Sequence, residues 1–219
     1  MTKRLEPLLA AELETVEADD GVLKRYKEDE ERVQQKRFHN LVCEETDFSK
    51  MTISGVIFEN CRFWNCSFVR TEFTDVMFQS CDLSGCNMSD SYMNRVTMRS
   101  CKGVGTRLSD SVIKNLLLTE SNFNYANFDA ARLEQVKVEC TELNSSNVTQ
   151  CRCKNVVWKE VQLVNASFFK TSLRGMDFSD STITGLVVSD DNTELRGAIV
   201  DLYQAAELAR RLGIVIKNL

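Results

Sequence analysis

The chain has 219 residues, 43% of them apolar, with 27 Lys and Arg against 32 Asp and Glu for a formal net charge of −5. The first residues lack a basic start followed by an apolar run, and no stretch nears the roughly 18 consecutive apolar residues of a membrane span. A cytoplasmic protein without membrane contact is therefore expected.

In chain order, the first candidate element is an N-terminal helix. Glu6 and Pro7 precede Leu8, Leu9, Leu13 and Val16, a pattern that predicts a short amphipathic helix with Pro in its first turn. Asp19, Asp20 and Gly21 would end it. Lys24 to Arg37 mixes both charge signs and reads as a solvated helix or an extended lead-in. Residues 1–32 are assigned as a helical, charged cap, with a disordered tail as the alternative.

From Phe38 to Val188 an apolar residue recurs at every fifth position, with Gly103 as the exception. The series begins Phe38, Cys43, Phe48, Ile53, Phe58, Phe63 and ends Phe168, Leu173, Phe178, Ile183, Val188. Eleven of the twelve Phe residues lie on it, and Phe169 does not. Two residues before each centre sits a smaller side chain, as at Cys61, Cys66, Thr71, Ala126, Ser146 and Ala166. The unit is small–polar–large apolar–polar–polar. A period of five fits neither a helix nor a strand. It fits a solenoid that turns a corner every five residues and keeps both columns inside. Each buried large side chain contributes about 1.5–3 kcal/mol, so the repeat needs neither disulfide nor metal.

Three local features test that pattern. Gly103 removes one core side chain, which predicts a bulge or bend with Val104 turned inward. Its GxG with Gly105 lacks the rest of any phosphate-binding motif. Eight of the nine Cys fall in the two inward columns and read as core thiols, while Cys140 points outward. With His39 the only histidine and no CxxC pair, zinc is not expected.

After Val188 the register breaks at Asp191 and Asn192 and restarts at Leu195 and Val200. Asp201 and Gln204 form a capping box, opening a helix with Leu202, Ala205, Ala206, Ala209 and Leu212 on one face. Gly213 stops it, and Ile214-Val215-Ile216 reads as a short strand. Residues 201–219 thus form a second cap, with apolar surface suited to a two-fold dimer.

The motifs Ala126-Asn127-Phe128, Cys81-Asp82-Leu83, Cys86-Asn87-Met88 and Met176-Asp177-Phe178 resemble the consensus of the pentapeptide-repeat family. That resemblance covers residues 33–200. It implies an all-β solenoid, a right-handed quadrilateral β-helix with four pentads per coil and short helical N- and C-terminal caps. The sequence agrees with a 20-residue coil: Phe38, Phe58 and Phe78 recur at that spacing. About eight coils are expected, each rising about 4.8 Å.

The tail narrows the resemblance. Leu195-Arg-Gly-Ala-Ile-Val, the helix with Gln204 and Leu208, and Leu212-Gly-Ile-Val-Ile look like the ending of Qnr-type members. In those proteins a C-terminal dimer forms a rod resembling DNA in size and charge. They bind DNA gyrase or topoisomerase IV, inhibiting it or protecting it from quinolones. The resemblance implies a homodimer through Leu202, Leu208, Leu212, Ile214 and Ile216. Some members carry loops projecting from the rod that matter for protection; the unbroken register here admits none.

Sorting outward positions by 20-residue coil gives one acidic side and one basic side. The acidic side presents Glu120, Glu139, Glu160, Asp177 and Asp180, beside an apolar stripe at Ile57, Met77, Leu117 and Val157. The basic side presents Arg95, Lys114, Arg132, Arg152, Lys154 and Arg174. Ordinary solvated charge is one reading of this pattern. The other is a partner-binding surface, because stacked like charges build an extended field. Direct nucleic-acid binding is not expected. Neither is catalysis, because the carboxylates lie on a convex rod and no cofactor motif is present. A protein-interaction scaffold with another partner is the alternative function.

Overall fold

The computed structural model describes residues 5–16 and 21–217. The chain forms a parallel β-solenoid of about seven turns, one fewer than the sequence spacing implied. Its elements in order are β1 (Glu14–Val16), α1 (Val22–Glu28), β2 (Val33–Gln34), β3 (Lys36–His39), β4 (Val42–Glu44), β5 (Thr52–Glu59), β6 (Arg62–Trp64), β7 (Glu72–Gln79), β8 (Tyr92–Arg99), β9 (Val112–Thr119), β10 (Arg132–Glu139), β11 (Arg152–Lys159) and α2 (Leu202–Arg211), with a 3-10 turn at Thr193–Leu195. One sheet runs β1-β3-β5-β7-β8-β9-β10-β11 with β2 also on β5; β4 and β6 form a small second sheet. Within the solenoid, partners lie 20 residues apart, as in Phe38↔Phe58, Phe58↔Phe78 and Val138↔Trp158.

The corners explain the period. Every fifth residue from Glu30 to Gly175 has positive φ, the left-handed conformation that reverses the chain's course. In the longer strands this corner lies inside the strand: Gln135, φ 57°, sits within β10 and joins two sides of the coil into one sheet. The other two sides are shorter and meet their neighbours through single bridges such as Asn122↔Glu142 and Asn127↔Asn147.

The centres of the pentads fill the interior, and Cys153 alone of the apolar centres is only half-buried. Rings stack along one column, with Phe38 and Phe58 centroids 5.3 Å apart and Phe58 and Phe78 5.1 Å apart. The small column has a further role. Its thiols and hydroxyls donate to the carbonyl 23 residues earlier, as Cys81 Sγ to Phe58 (3.3 Å), Thr71 Oγ1 to Phe48 (2.9 Å) and Thr106 Oγ1 to Leu83 (2.9 Å). Such bonds offset the cost of burying a polar group, which accounts for Cys and Thr where Ala would fit; in the same column Ser111 and Ser121 bond within their own coil, and the Ser91 and Ser146 hydroxyls have no partner. All nine cysteines are free thiols.

Gly103 does not bend the coil. Its amide donates to Asn122 O at 2.7 Å, Lys102 bridges both Asp82 and Asn122 in register, and Val104 stays outward and half-buried. The Phe123 ring of the next coil occupies the space: a Cβ on Gly103 would lie 2.2 Å from Phe123 Cε1. The missing side chain is supplied by a neighbour one coil away, so the backbone has no gap to close.

Both caps depart from their sequence patterns. No helix forms over the described residues before Val16; Glu14–Val16 is instead a strand paired with Lys36–Phe38. The open edge of the first coil offers a ladder of unpaired backbone groups, and pairing with it wins over local helix propensity. The predicted stop at Asp19 and Asp20 lies outside the described residues, and Gly21 begins a helix rather than ending one. That helix, α1, buries Leu23 against the core.

At the other end, α2 carries the expected capping box: the Asp201 carboxylate accepts from Gln204 N (2.8 Å) and the Gln204 amide oxygen from Asp201 N (3.0 Å). It docks through Leu208 together with polar side chains. Gln204 Nε2 donates to Phe178 O (2.9 Å) and Ser181 O (2.6 Å), and Arg211 Nη1 to Leu186 O (2.7 Å). Leu202 and Leu212 face away. Ile214–Ile216 is not a strand; it pairs with no strand among the described residues.

Two outcomes follow for stability. Phe68 is fully buried and Phe169 is half-exposed. Phe68→Ala should cost about 3–5 kcal/mol and Phe169→Ala far less, read from urea midpoints; equal losses would contradict the inward and outward assignment. Gln204→Leu keeps helix propensity but removes two buried bonds and strands the Ser181 carbonyl, while Phe178 O keeps the Ser181 amide, at a cost of about 1–3 kcal/mol. It should detach α2, seen as faster tryptic cleavage at Arg210 and Arg211.

Candidate functional site

Outward side chains fall into columns one coil apart, so charge is placed by register. Glu120, Cys140, Glu160 and Asp180 share one corner column. The Glu120 carboxylate accepts from Ser100 Oγ at 3.1 Å. Glu160 accepts from the Cys140 thiol at 3.4 Å, which pushes that exposed thiol's pKa up. Asp180 accepts from the Glu160 amide at 3.3 Å. These three carboxylates have no cation within 4 Å among the described residues.

The other two predicted partner residues behave differently. Glu139 is half-buried between Lys137 Nζ (2.7 Å) and Lys159 Nζ (3.8 Å) and is electrostatically spent. Asp177 folds back onto Ser179, accepting from its hydroxyl (2.7 Å) and amide (3.0 Å); these bonds hold its pKa below the usual carboxylate range. Of the five, only Glu139 is paired with cations; Asp177 is exposed, ionised and without a cation within 4 Å among the described residues, beside the corner column of Glu120, Glu160 and Asp180.

The basic side belongs to the same sheet, around the left-handed corner. Arg95 is neutralised by a bidentate pair with Asp75 (2.6 and 2.7 Å), and Lys154 lies 3.7 Å from Glu134. Arg132, Arg152 and Arg174 have no carboxylate within 4 Å among the described residues. The Asp75 carboxylate also accepts from the Leu8 amide at 2.8 Å. Burial alone would raise its pKa; the Arg95 guanidinium and the Leu8 amide hold it low. The N-terminal segment thus crosses the outside of the sheet as far as β7. No sequence signal marked this contact, which joins residues 67 apart. In the apolar stripe, Ile57 is buried and Val157 is 49% exposed.

The C-terminal end carries the largest exposed apolar group. Leu202 is 80% exposed, and Leu212, Ile214 and Ile216 are exposed with it. Leu208, predicted among them, is instead turned onto the solenoid and half-buried. Tyr203 and Val215, which the sequence did not single out, are 85% and 88% exposed. Among the described residues no His, Cys, Asp or Glu side chains group to hold a metal ion, and no helix is long and apolar enough to cross a membrane.

Residues 71–148 match the model of a pentapeptide repeat region. Solved structures of QnrB1, a plasmid-mediated fluoroquinolone resistance protein, share the fold. The full-length protein is 22% identical over 93% of this chain and 98% of that one, with a TM-score of 0.54. A trypsin-treated variant is 24% identical over 94% and 98%, with a TM-score of 0.51. No curated protein matches the sequence. The five-residue register, the left-handed corners and the matched region together make residues 71–148 a pentapeptide repeat region, within a solenoid that shares the fold of QnrB1.

Proposed function

We propose that this chain is a Qnr-type protein that binds DNA gyrase, topoisomerase IV or both as a DNA mimic in the cytoplasm. The observation that carries the reading is the corner column of Glu120, Glu160 and Asp180, whose carboxylates are unpaired by cations and which runs toward the C-terminal end, where Ser181 beside Asp180 bonds Gln204 of α2. Coils rise about 4.8 Å, so Asp180 stands one coil from Glu160 and Glu120 two coils before Glu160, a linear array of negative charge along the rod that is sparser than the phosphates recurring about every 3.4 Å along one DNA strand. The fold shared with QnrB1 supports the same reading.

Dimerisation is part of the proposal. Helix α2 spends Leu208 and polar side chains on the solenoid and leaves Leu202, Tyr203, Leu212 and Ile214 in water. A second copy covering this end would join two rods and carry the acidic corner along a longer partner surface. The reading assigns no catalytic step, no cofactor and no direct contact with nucleic acid. It concerns binding and inhibition first, because left-handed corners recur without a gap from Glu30 to Gly175 and leave no place for a projecting protective loop. A scaffold for another protein is the second reading, favoured by the unpaired Arg132, Arg152 and Arg174 on the adjoining side.

Supercoiling assays with purified gyrase and topoisomerase IV test the first reading. Reversing Glu120, Glu160 and Asp180 to Lys should raise the amount needed for inhibition by about tenfold or more without changing the circular dichroism. Leu212→Asp with Ile214→Asp should convert a sedimenting dimer to monomer and abolish inhibition. A wild-type protein that is monomeric, or that leaves both enzymes untouched at micromolar concentration, would give the place to the scaffold.

A further inference from the structure

The backbone ladder joining one coil to the next is interrupted on one side of the rod. Elsewhere the pattern is regular. Phe63 N–H donates to Asp82 O (2.7 Å), Asn65 to Ser84 O (3.0 Å), and Asp82 N–H back to Cys61 O (2.9 Å). By the same spacing, the amides of Cys153, Asn155 and Trp158 face residues 172, 174 and 177, and those of Ser172 and Asp177 face Cys151 and Val156. None of these bonds forms. Strand β11 ends the sheet, while Leu173, Gly175 and Phe178 donate onward to Glu194 O, Gly197 O and Ile199 O at 2.8–2.9 Å. On either side of the interruption the two coils are joined again, by Gln150 N–H to Phe169 O (2.9 Å) and Leu163 N–H to Thr182 O (2.7 Å).

The cause is a change of turn. β11 runs straight through its left-handed corner at Asn155, whereas 171–178 closes a tight turn with Met176 N–H on Leu173 O (3.0 Å). The peptide groups of the two coils no longer face one another. Three observations agree. A cleft of about 620 Å³ opens there, lined by Arg152, Cys153, Asn155, Arg174 and Met176, within the range of about 300–1,000 Å³ found for ligand sites. Cys153 is the one half-buried apolar centre. Trp158 and Phe178 centroids lie 6.2 Å apart, wider than the 5.1 Å between Phe58 and Phe78. Trp158 Nε1 donates to Met176 Sδ (3.4 Å) across the floor. Burial pushes the Cys153 thiol up to about 11, so the wall is a neutral thiol and not a nucleophilic thiolate.

An edge strand with unpaired donors and acceptors is a template for another strand. Its mouth is flanked by Arg152 and Arg174, neither with a carboxylate within 4 Å among the described residues. We propose that the cleft between β11 and residues 172–178 is a docking slot for an extended, acidic peptide segment of a partner protein. Its backbone pairs with the β11 edge and its carboxylates meet Arg152 and Arg174. The slot opens around Asn155 and Arg174, one corner before Glu160 and Asp180, with Asp177 at its far end, and does not depend on gyrase binding.

The test uses the full chain and two measurements. Hydrogen exchange should show the Cys153, Asn155 and Trp158 amides exchanging faster than those of Leu133, Gln135 and Val138, which pair with β11. A fluorescent acetyl-(Glu-Val)₃-amide should then bind saturably by anisotropy and slow those three amides. An (Lys-Val)₃ peptide should not bind. Arg152→Glu with Arg174→Glu should weaken the acidic peptide about tenfold with unchanged circular dichroism, and N-methylation of alternate peptide amides should abolish binding. The proposal is overturned by slow exchange in the free protein, by no saturable binding at millimolar peptide, or by binding indifferent to the double reversal. Preferential binding of a peptide copying residues 212–217 would assign the slot to a second copy and overturn the acidic partner.

Discussion

The structure depends on one backbone constraint: a residue in the left-handed region at every fifth position. For an L-residue this costs roughly 1–2 kcal/mol, and the corners include Lys50, Arg70, Arg95, Tyr125 and Ala130 as well as Asn and Gly. The cost is tolerated because each corner sets up the next stretch of ladder and turns the next centre inward. Corner side chains point away from the core, so the fold leaves them free to carry charge. Glu120 and Glu160 sit at such corners, with φ of 51° and 53°. Asp180, one coil on, has left the left-handed pattern, and its carboxylate replaces a carbonyl as acceptor for Glu160 N–H. Regular corners thus end at the coil where the ladder opens.

The five-residue period was legible because every centre meets the same interior, so each must be apolar independently of its neighbours. What could not be read were compensations between coils. Nothing near Gly103 announces that a ring 20 residues later fills its place, since that depends on the rotamer of Phe123. Glu139 is an intermediate case. Lys137 is close in sequence and Lys159 is one coil away, so the 20-residue register already placed two cations beside it. The sign of a column alone does not show this pairing, which takes Glu139 and no other of the five carboxylates out of the acidic side.

The termini were misread for a different reason. Local pattern decides an isolated helix, but an exposed solenoid edge competes for any nearby backbone. Glu14–Val16 lies beside that edge and becomes a strand; Ile214–Ile216, beyond α2, pairs with no strand among the described residues and stays irregular. Strand formation at both ends is decided by partner availability more than by side-chain propensity. The capping box of α2 was legible because its two bonds are made between residues three apart, without reference to the rest of the chain.

The two ends therefore do different work. At the N-terminal end, β1 pairs with the first coil and Leu23 enters the core, so apolar surface and ladder are both closed. At the C-terminal end, the ladder and the buried carbonyls of Phe178 and Ser181 are closed by Gln204, but Leu202 and Leu212 of the cap are turned outward. A helix that existed only to terminate the rod would place Leu202 and Leu212 against Phe178 and its own charged side in water. The observed orientation is the reverse. Burying Gln204 satisfies the strict requirement, that of hydrogen bonding for enclosed carbonyls. The hydrophobic requirement, which is non-directional, can be met by any surface that covers this end. A second chain would meet it as well as the first, and among the described residues the C-terminal end leaves more apolar surface in water than the N-terminal end does.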